Sequence, residues 1–183
     1  MQHSSAIRQT GVTLIELMFA LAIIGILLGF ASNGVSAAMN ASRTSNGFSS
    51  LLASLTRARS IAANSEVDVV LCPSIDGASC AVGDHWENGW IAFQAMHGGS
   101  DREADEPILL RQEALLPKVH LVTTKGRTRI RFQPNGGNAG SNATFTFCDG
   151  RGARAAQAYA MSNPGNLRAT APEAANVAEA CSG

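Results

Sequence analysis

Apolar residues fill nearly every position from Val12 to Ala31, and the polar interruptions are Thr13 and Glu16. A helix of roughly 20 apolar residues spans a bilayer, so the pattern predicts a transmembrane helix with a carboxylate near its start. An ionised carboxylate in hydrocarbon costs several kcal/mol unless a partner neutralises it. Further on the pattern narrows to a stripe. Phe48, Leu51, Leu52, Leu55, Ala58 and Ala62 recur mostly at steps of three and four, as one face of an amphipathic helix does. The two stretches read as one helix from about Thr13 to about Ala63, on the order of 75 Å long at ~1.5 Å per residue. Glycine weakens a helix interior, which places a soft spot at Asn33-Gly34.

Past Ser65 the apolar period shortens to two. Candidate strands are Val67–Cys72, Gly89–Ala95, Pro107–Gln112, Lys118–Thr124, Thr128–Gln133, Thr144–Cys148, Ala158–Ser162 and Leu167–Thr170, separated by Gly, Pro, Asn and Asp. Residues 133–142 read as a loop, and the alanine-rich last fifteen residues read as loose. One long helix followed by many short strands is an α+β order. The expected division is a leader at 1–11, a transmembrane helix at 12–32, its amphipathic continuation at 33–64 and a β-rich domain at 65–183.

The 183 residues include 14 bases and 14 acids, so no net charge draws the chain to nucleic acid or membrane. The distribution is uneven, however. Ser65–Leu110 holds nine acids and one base, whereas Arg111–Arg168 holds nine bases and two acids. Arg127, Arg129 and Arg131 alternate along one predicted strand and therefore share a face. Like charges side by side are unfavourable unless solvated or matched by an anion. With Arg151, Arg154 and Arg168 they form a candidate surface for DNA. The alternative is that the strand arginines meet the acidic segment of a neighbouring subunit.

All four cysteines follow the apolar run, which fits two disulfides in an oxidising compartment. Three pairings are possible. The expected one is Cys72–Cys80, closing a short loop, with Cys148–Cys181 tying down the tail. No CxxC spacing occurs and no histidine stands at ligand spacing from a cysteine, so no metal site is expected. The sequence also lacks a P-loop, HExxH or GxSxG, which leaves no catalytic residues, no cofactor and no enzyme activity to expect.

The stretch "TGVTLIELMFALAIIGILL" resembles the class III leader of type IV pilins and type II secretion pseudopilins: a short basic leader with Arg8, a glycine at Gly11, an acid at Glu16 and an unbroken apolar run. In order, "GWIAFQ", "PILLRQ", "RIRFQPNG", "TFTFCDGRG" and "AMSNPGNLR" are similar to the GspH/FimT family of minor pilins, and the cysteines favour its FimT/FimU-like members. The resemblance implies a type IV pilin-like fold, the long helix packed on an antiparallel β-sheet domain. It implies cleavage after Gly11 by a prepilin peptidase, N-methylation of Val12, and pairing of Glu16 with the amine of a neighbour's Val12 during assembly. Valine stands where the family usually has phenylalanine, and Asn33-Gly34 where major pilins have a kinking proline. The implied location is the bacterial inner membrane, single-pass with a periplasmic C-terminal domain, and then a pilus or pseudopilus. Implied partners are other minor and major pilins or pseudopilins. The implied function is to prime or cap a type IV pilus in pilus biogenesis and twitching motility. A type II secretion pseudopilin H and a pilus-tip DNA receptor for natural transformation are the alternatives. Family members that bind DNA carry Gly-Arg-x-Arg; here Gly165 and Arg168 match, and Asn166 replaces the first arginine.

Overall fold

The computed structural model describes Gly11 and residues 13–182, without the side chains of residues 27, 28 and 30–33. The chain forms two compact units, Met1–Ala38 and Met39–Gly183. The expected leader, apart from Gly11, and Val12, the expected methylation site, lie outside the described residues.

Helix α1 (Leu14–Ser65) contributes to both units. It continues without a break through Gly34, so the expected soft spot does not interrupt it. Glu66 ends it with a φ of 57°, the left-handed turn that commonly stops a helix.

Among the described residues, the strands all fall in the second unit: β1 (Val69–Pro73), β2 (Trp90–Gln94), β3 (Ile108–Gln112), β4 (Val119–Thr123), β5 (Ile130–Phe132), β6 (Thr144–Asp149), β7 (Gln157–Met161) and β8 (Leu167–Thr170). They make two four-stranded antiparallel sheets, in the orders β3-β2-β1-β5 and β4-β6-β7-β8, as the expected helix on an antiparallel β-sheet domain requires.

One face of each sheet and the α1 stripe share a core. Leu51, Leu55, Ala58 and Ala62 pack with Val69 and Leu71 of β1, Trp90 of β2, Leu121 of β4, and Phe145 and Phe147 of β6. Leu52 departs from the expected stripe and is exposed, because the residue after Leu51 turns about 100° away around the helix. The opposite faces are covered as well. Val70, Cys72, Ile91 and Phe93 form a second cluster joined by Cys80, and Val122, Cys148 and Ala180 a third joined by Cys181.

Each outer cluster contains a disulfide, Cys72–Cys80 in one and Cys148–Cys181 in the other. Asp76 organises the first loop, accepting hydrogen bonds from the amides of Ala78 and Ser79 and the hydroxyls of Ser74 and Ser79. The second disulfide lies beside helix α2 (Ala174–Ala180), which packs on β4 and β6. The alanine-rich tail is thus ordered rather than loose. Alanine is the strongest helix former, and Ala180 buries against Cys148.

Candidate functional site

In the first unit the side chains that matter are those of the first α1 turns. Thr13 caps the helix: its hydroxyl accepts the Glu16 N–H at 3.4 Å and its carbonyl accepts the Leu17 N–H at 3.2 Å. Thr-x-x-Glu is capping-box spacing, and a first-turn carboxylate sits favourably at the positive end of the helix dipole. Glu16 therefore has a local role as well as the assembly role implied by the resemblance. Its signal, Thr13 three residues earlier, stands in the sequence. From Leu14 to Ile26 every large apolar side chain is half or more exposed. Among the described residues, no helix is long and apolar enough to cross a membrane.

In the second unit the six singled-out arginines fall on different elements and into two classes. Arg129 donates to Asp101 at 2.6 and 2.9 Å and to the carbonyl of Ala81. Arg131 donates to Asp68 at 2.8 Å and to the carbonyls of Gly98 and Gly99. Both guanidinium groups are largely covered, and they meet acids of their own chain. With exposed Arg127 they line a cavity of about 200 Å³ that also includes Ser100 and Ser141. Arg151, in the turn after β6, grips Asp149 through Nε at 2.9 Å and Nη2 at 2.7 Å. The Thr44 hydroxyl of α1 donates to the same carboxylate at 2.5 Å. Arg151 first, and then Thr44, hold the Asp149 carboxyl down to about 2 against the opposing effect of burial. The remaining two are solvent-exposed: Arg154 in the short 3₁₀ turn Ala153–Ala155, and Arg168 on edge strand β8.

Sequence reasoning missed Arg59. It reaches from α1 to the Asn163–Asn166 turn and donates to the Asn166 side chain at 3.4 Å. Gly165 in that turn has a φ of 76°, and a Cβ there would stand 2.7 Å from the Phe132 ring, which accounts for a glycine at this position.

Among the described residues, two groups combine a histidine with carboxylates, Asp84–His85–Glu179 and His97–Glu103–Asp105. His85 Nδ1 lies 2.8 Å from Glu87, whose hydrogen bond raises the imidazole above its ordinary pKa. His97 Nε2 lies 2.9 Å from Asp105, and that contact raises it likewise. Neither group was visible as a motif, because each spans residues distant in the chain or at irregular spacing.

The architecture and the N-terminal pattern meet in the comparison with known families. The profile described as Type II transport protein GspH matches residues 48–165, and the prokaryotic N-terminal methylation motif matches residues 7–32. The chain belongs to the GspH family. Its fold is that of the type IV minor pilin FimU of Pseudomonas aeruginosa (strain PAO1). One FimU crystal form aligns with a TM-score of 0.56 at 16% identity, over 70% of this chain and 88% of that one. A second gives 0.51 at 17%, over 67% and 89%. The minor pseudopilin EpsH from the type 2 secretion system of Vibrio cholerae aligns at 0.49 and 14%, over 71% and 98%. No curated protein matches.

This GspH-family chain is a minor pilin or pseudopilin, a structural subunit with the type IV pilin-like fold. The GspH match begins at the helix stripe and ends at Gly165, so α2 and Cys181 lie beyond it.

Proposed function

We propose that this subunit primes or caps a type IV pilus and acts by assembly, not as an enzyme. The carrying observation is the Leu14–Ile26 stretch, where exposed apolar side chains surround a single carboxylate. Such a surface stays soluble only under cover, first of lipid and then of neighbouring helices. In this reading the prepilin peptidase cuts after Gly11 and methylates Val12, and residues 12–32 anchor the chain in the inner membrane with residues 65–183 in the periplasm. Glu16 then pairs with the Val12 amine of an adjacent subunit, since a buried pair is penalised far less than a lone buried charge. Partners are other minor and major pilins. FimU, a type IV minor pilin, favours the pilus. The family's own description favours a second reading, a pseudopilin of a type II secretion system. DNA is the least supported partner. Of the six candidate arginines, Arg129, Arg131 and Arg151 already meet carboxylates of this chain, leaving Arg127, Arg154 and Arg168 for phosphates.

The test is Glu16→Ala in cells that assemble the filament. Membrane insertion is expected to stay at the wild-type level, because removing a charge makes the segment more apolar. Recovery of the subunit in sheared filaments is expected to fall at least about tenfold, the effect of losing roughly 1.4 kcal/mol of assembly energy. Wild-type recovery would refute the pairing.

A further inference from the structure

We propose that Asp84, His85 and Glu179 form a Zn²⁺ site that joins helix α2 to the segment lying along β4. One donor atom from each residue lies within 4.8 Å of the others. The elements carrying them are independently held. The Asp84–Trp86 segment runs beside β4: His85 pairs with Val122, Thr123 N–H donates to the Asp84 carbonyl at 3.0 Å, and Trp86 N–H donates to the Leu121 carbonyl at 2.8 Å. Glu179 belongs to α2, which packs on β4 and β6 next to the Cys148–Cys181 disulfide.

The orientation of the imidazole argues for a ligand rather than a chance neighbour. His85 Nδ1 is engaged by Glu87 Oε1 at 2.8 Å, and Glu87 is itself positioned by the Leu121 N–H on its other oxygen at 3.2 Å. A metal-bound histidine typically donates its second ring N–H to a carboxylate in this way. That leaves Nε2 facing Glu179 Oε1 at 3.9 Å. This separation is too long for a good hydrogen bond. It is close to the roughly 3.4 Å between two donors on a tetrahedral ion with bonds of about 2.0–2.2 Å. One imidazole nitrogen with two carboxylate oxygens suits Zn²⁺, whereas Ca²⁺ and Mg²⁺ take oxygen sets. Water would complete the fourth position. The other histidine cluster fits less well, because His97 Nε2 is already bonded directly to Asp105 at 2.9 Å and all three residues are exposed.

The experiment is equilibrium dialysis of detergent-purified, metal-stripped full-length protein against ZnCl₂ at neutral pH, with bound metal counted directly. One Zn²⁺ per chain at roughly micromolar affinity is expected. His85→Ala and Glu179→Gln should each weaken binding at least about tenfold, and Glu87→Gln, which touches no metal, by about tenfold through loss of imidazole orientation. His97→Ala should bind as wild type. Circular dichroism on each variant checks folding, and Glu179→Gln, a near-isosteric change at a partly exposed position of α2, serves if His85→Ala fails to fold. Zn²⁺ should also raise the melting temperature of the wild type and not that of Glu179→Gln. Absence of stoichiometric binding, which would leave a plain ion pair of His85 between Glu87 and Glu179, overturns the proposal. So does wild-type affinity in Glu179→Gln, or loss of binding in His97→Ala.

Discussion

Two stretches of one helix treat the same kind of residue in opposite ways. Between Leu14 and Ile26, α1 leaves every large apolar side chain half or more exposed, whereas Leu51 and Leu55 of the same helix are fully buried. The difference follows from pattern. The later stretch confines its apolar residues to one stripe, which two sheets cover; the earlier one is apolar all round, and no single sheet could bury it. Under the proposed function, stability of the second unit and assembly of the subunit therefore depend on different leucines.

The sharpest way to break that comparison is to cut side chains in both stretches. Leu51→Ala or Leu55→Ala should cost about 2–5 kcal/mol, because each opens a cavity among Trp90, Phe145 and their neighbours. Leu17→Ala or Ile24→Ala should change stability by less than about 0.5 kcal/mol and act only on filament incorporation. Urea unfolding followed by fluorescence of buried Trp86 and Trp90 measures both. Equal losses at Leu17 and Leu55 would abolish the distinction.

A somewhat smaller effect tests whether the second unit owes its outer faces to its disulfides. Replacing Cys148 and Cys181 by serine opens a connection between residues 33 apart and should cost roughly 3–4 kcal/mol; the Cys72–Cys80 pair, 8 apart, should cost roughly 2–3. Amide exchange in Ala174–Ala180 should rise in the first variant and not in the second.

The smallest expected effect concerns the polar clasp between the buried part of α1 and the sheet. Asp149 has its carboxyl at about 2, below the ordinary carboxylate value, so its contribution is present above about pH 4 and fades as pH falls from about 4 to 2. The shift corresponds to about 2 kcal/mol. Asp149→Asn should lose a comparable amount at neutral pH and flatten the acid limb of a stability-versus-pH curve. An unchanged acid limb would mean that Arg151 and Thr44 do not discriminate between the charged and neutral carboxyl.

Much of the fold was legible because its signals are local. The strands announced themselves by alternation and flanking turn residues, and each observed strand lies within about two residues of its expected bounds. Other features were less legible. Asp149–Arg151 hid in a short turn, since neither residue's spacing indicates that Thr44, 105 positions earlier, completes the clasp. The three alternating arginines read as one face open to DNA or to a neighbouring subunit, yet the segments holding Asp68, Asp101, Gly98 and Gly99 fold over two of them. The acidic and basic halves of the chain thus neutralise each other partly within one subunit. This weakens both the DNA reading and the idea that these arginines are kept for a neighbour.

The order of residues alone determined the apolar run with its carboxylate, the helix stripe, the strands and the family resemblance, since all of these are written in periodicities of a few positions. Tertiary structure decided that the strands divide into two sheets, that the alanine-rich end forms a helix over one of them, and which charges are spent inside the molecule. Those outcomes depend on contacts between residues tens of positions apart, such as Arg131 with Asp68 or His85 with Glu179. Their closeness is set by packing a shared core, and no local pattern encodes it.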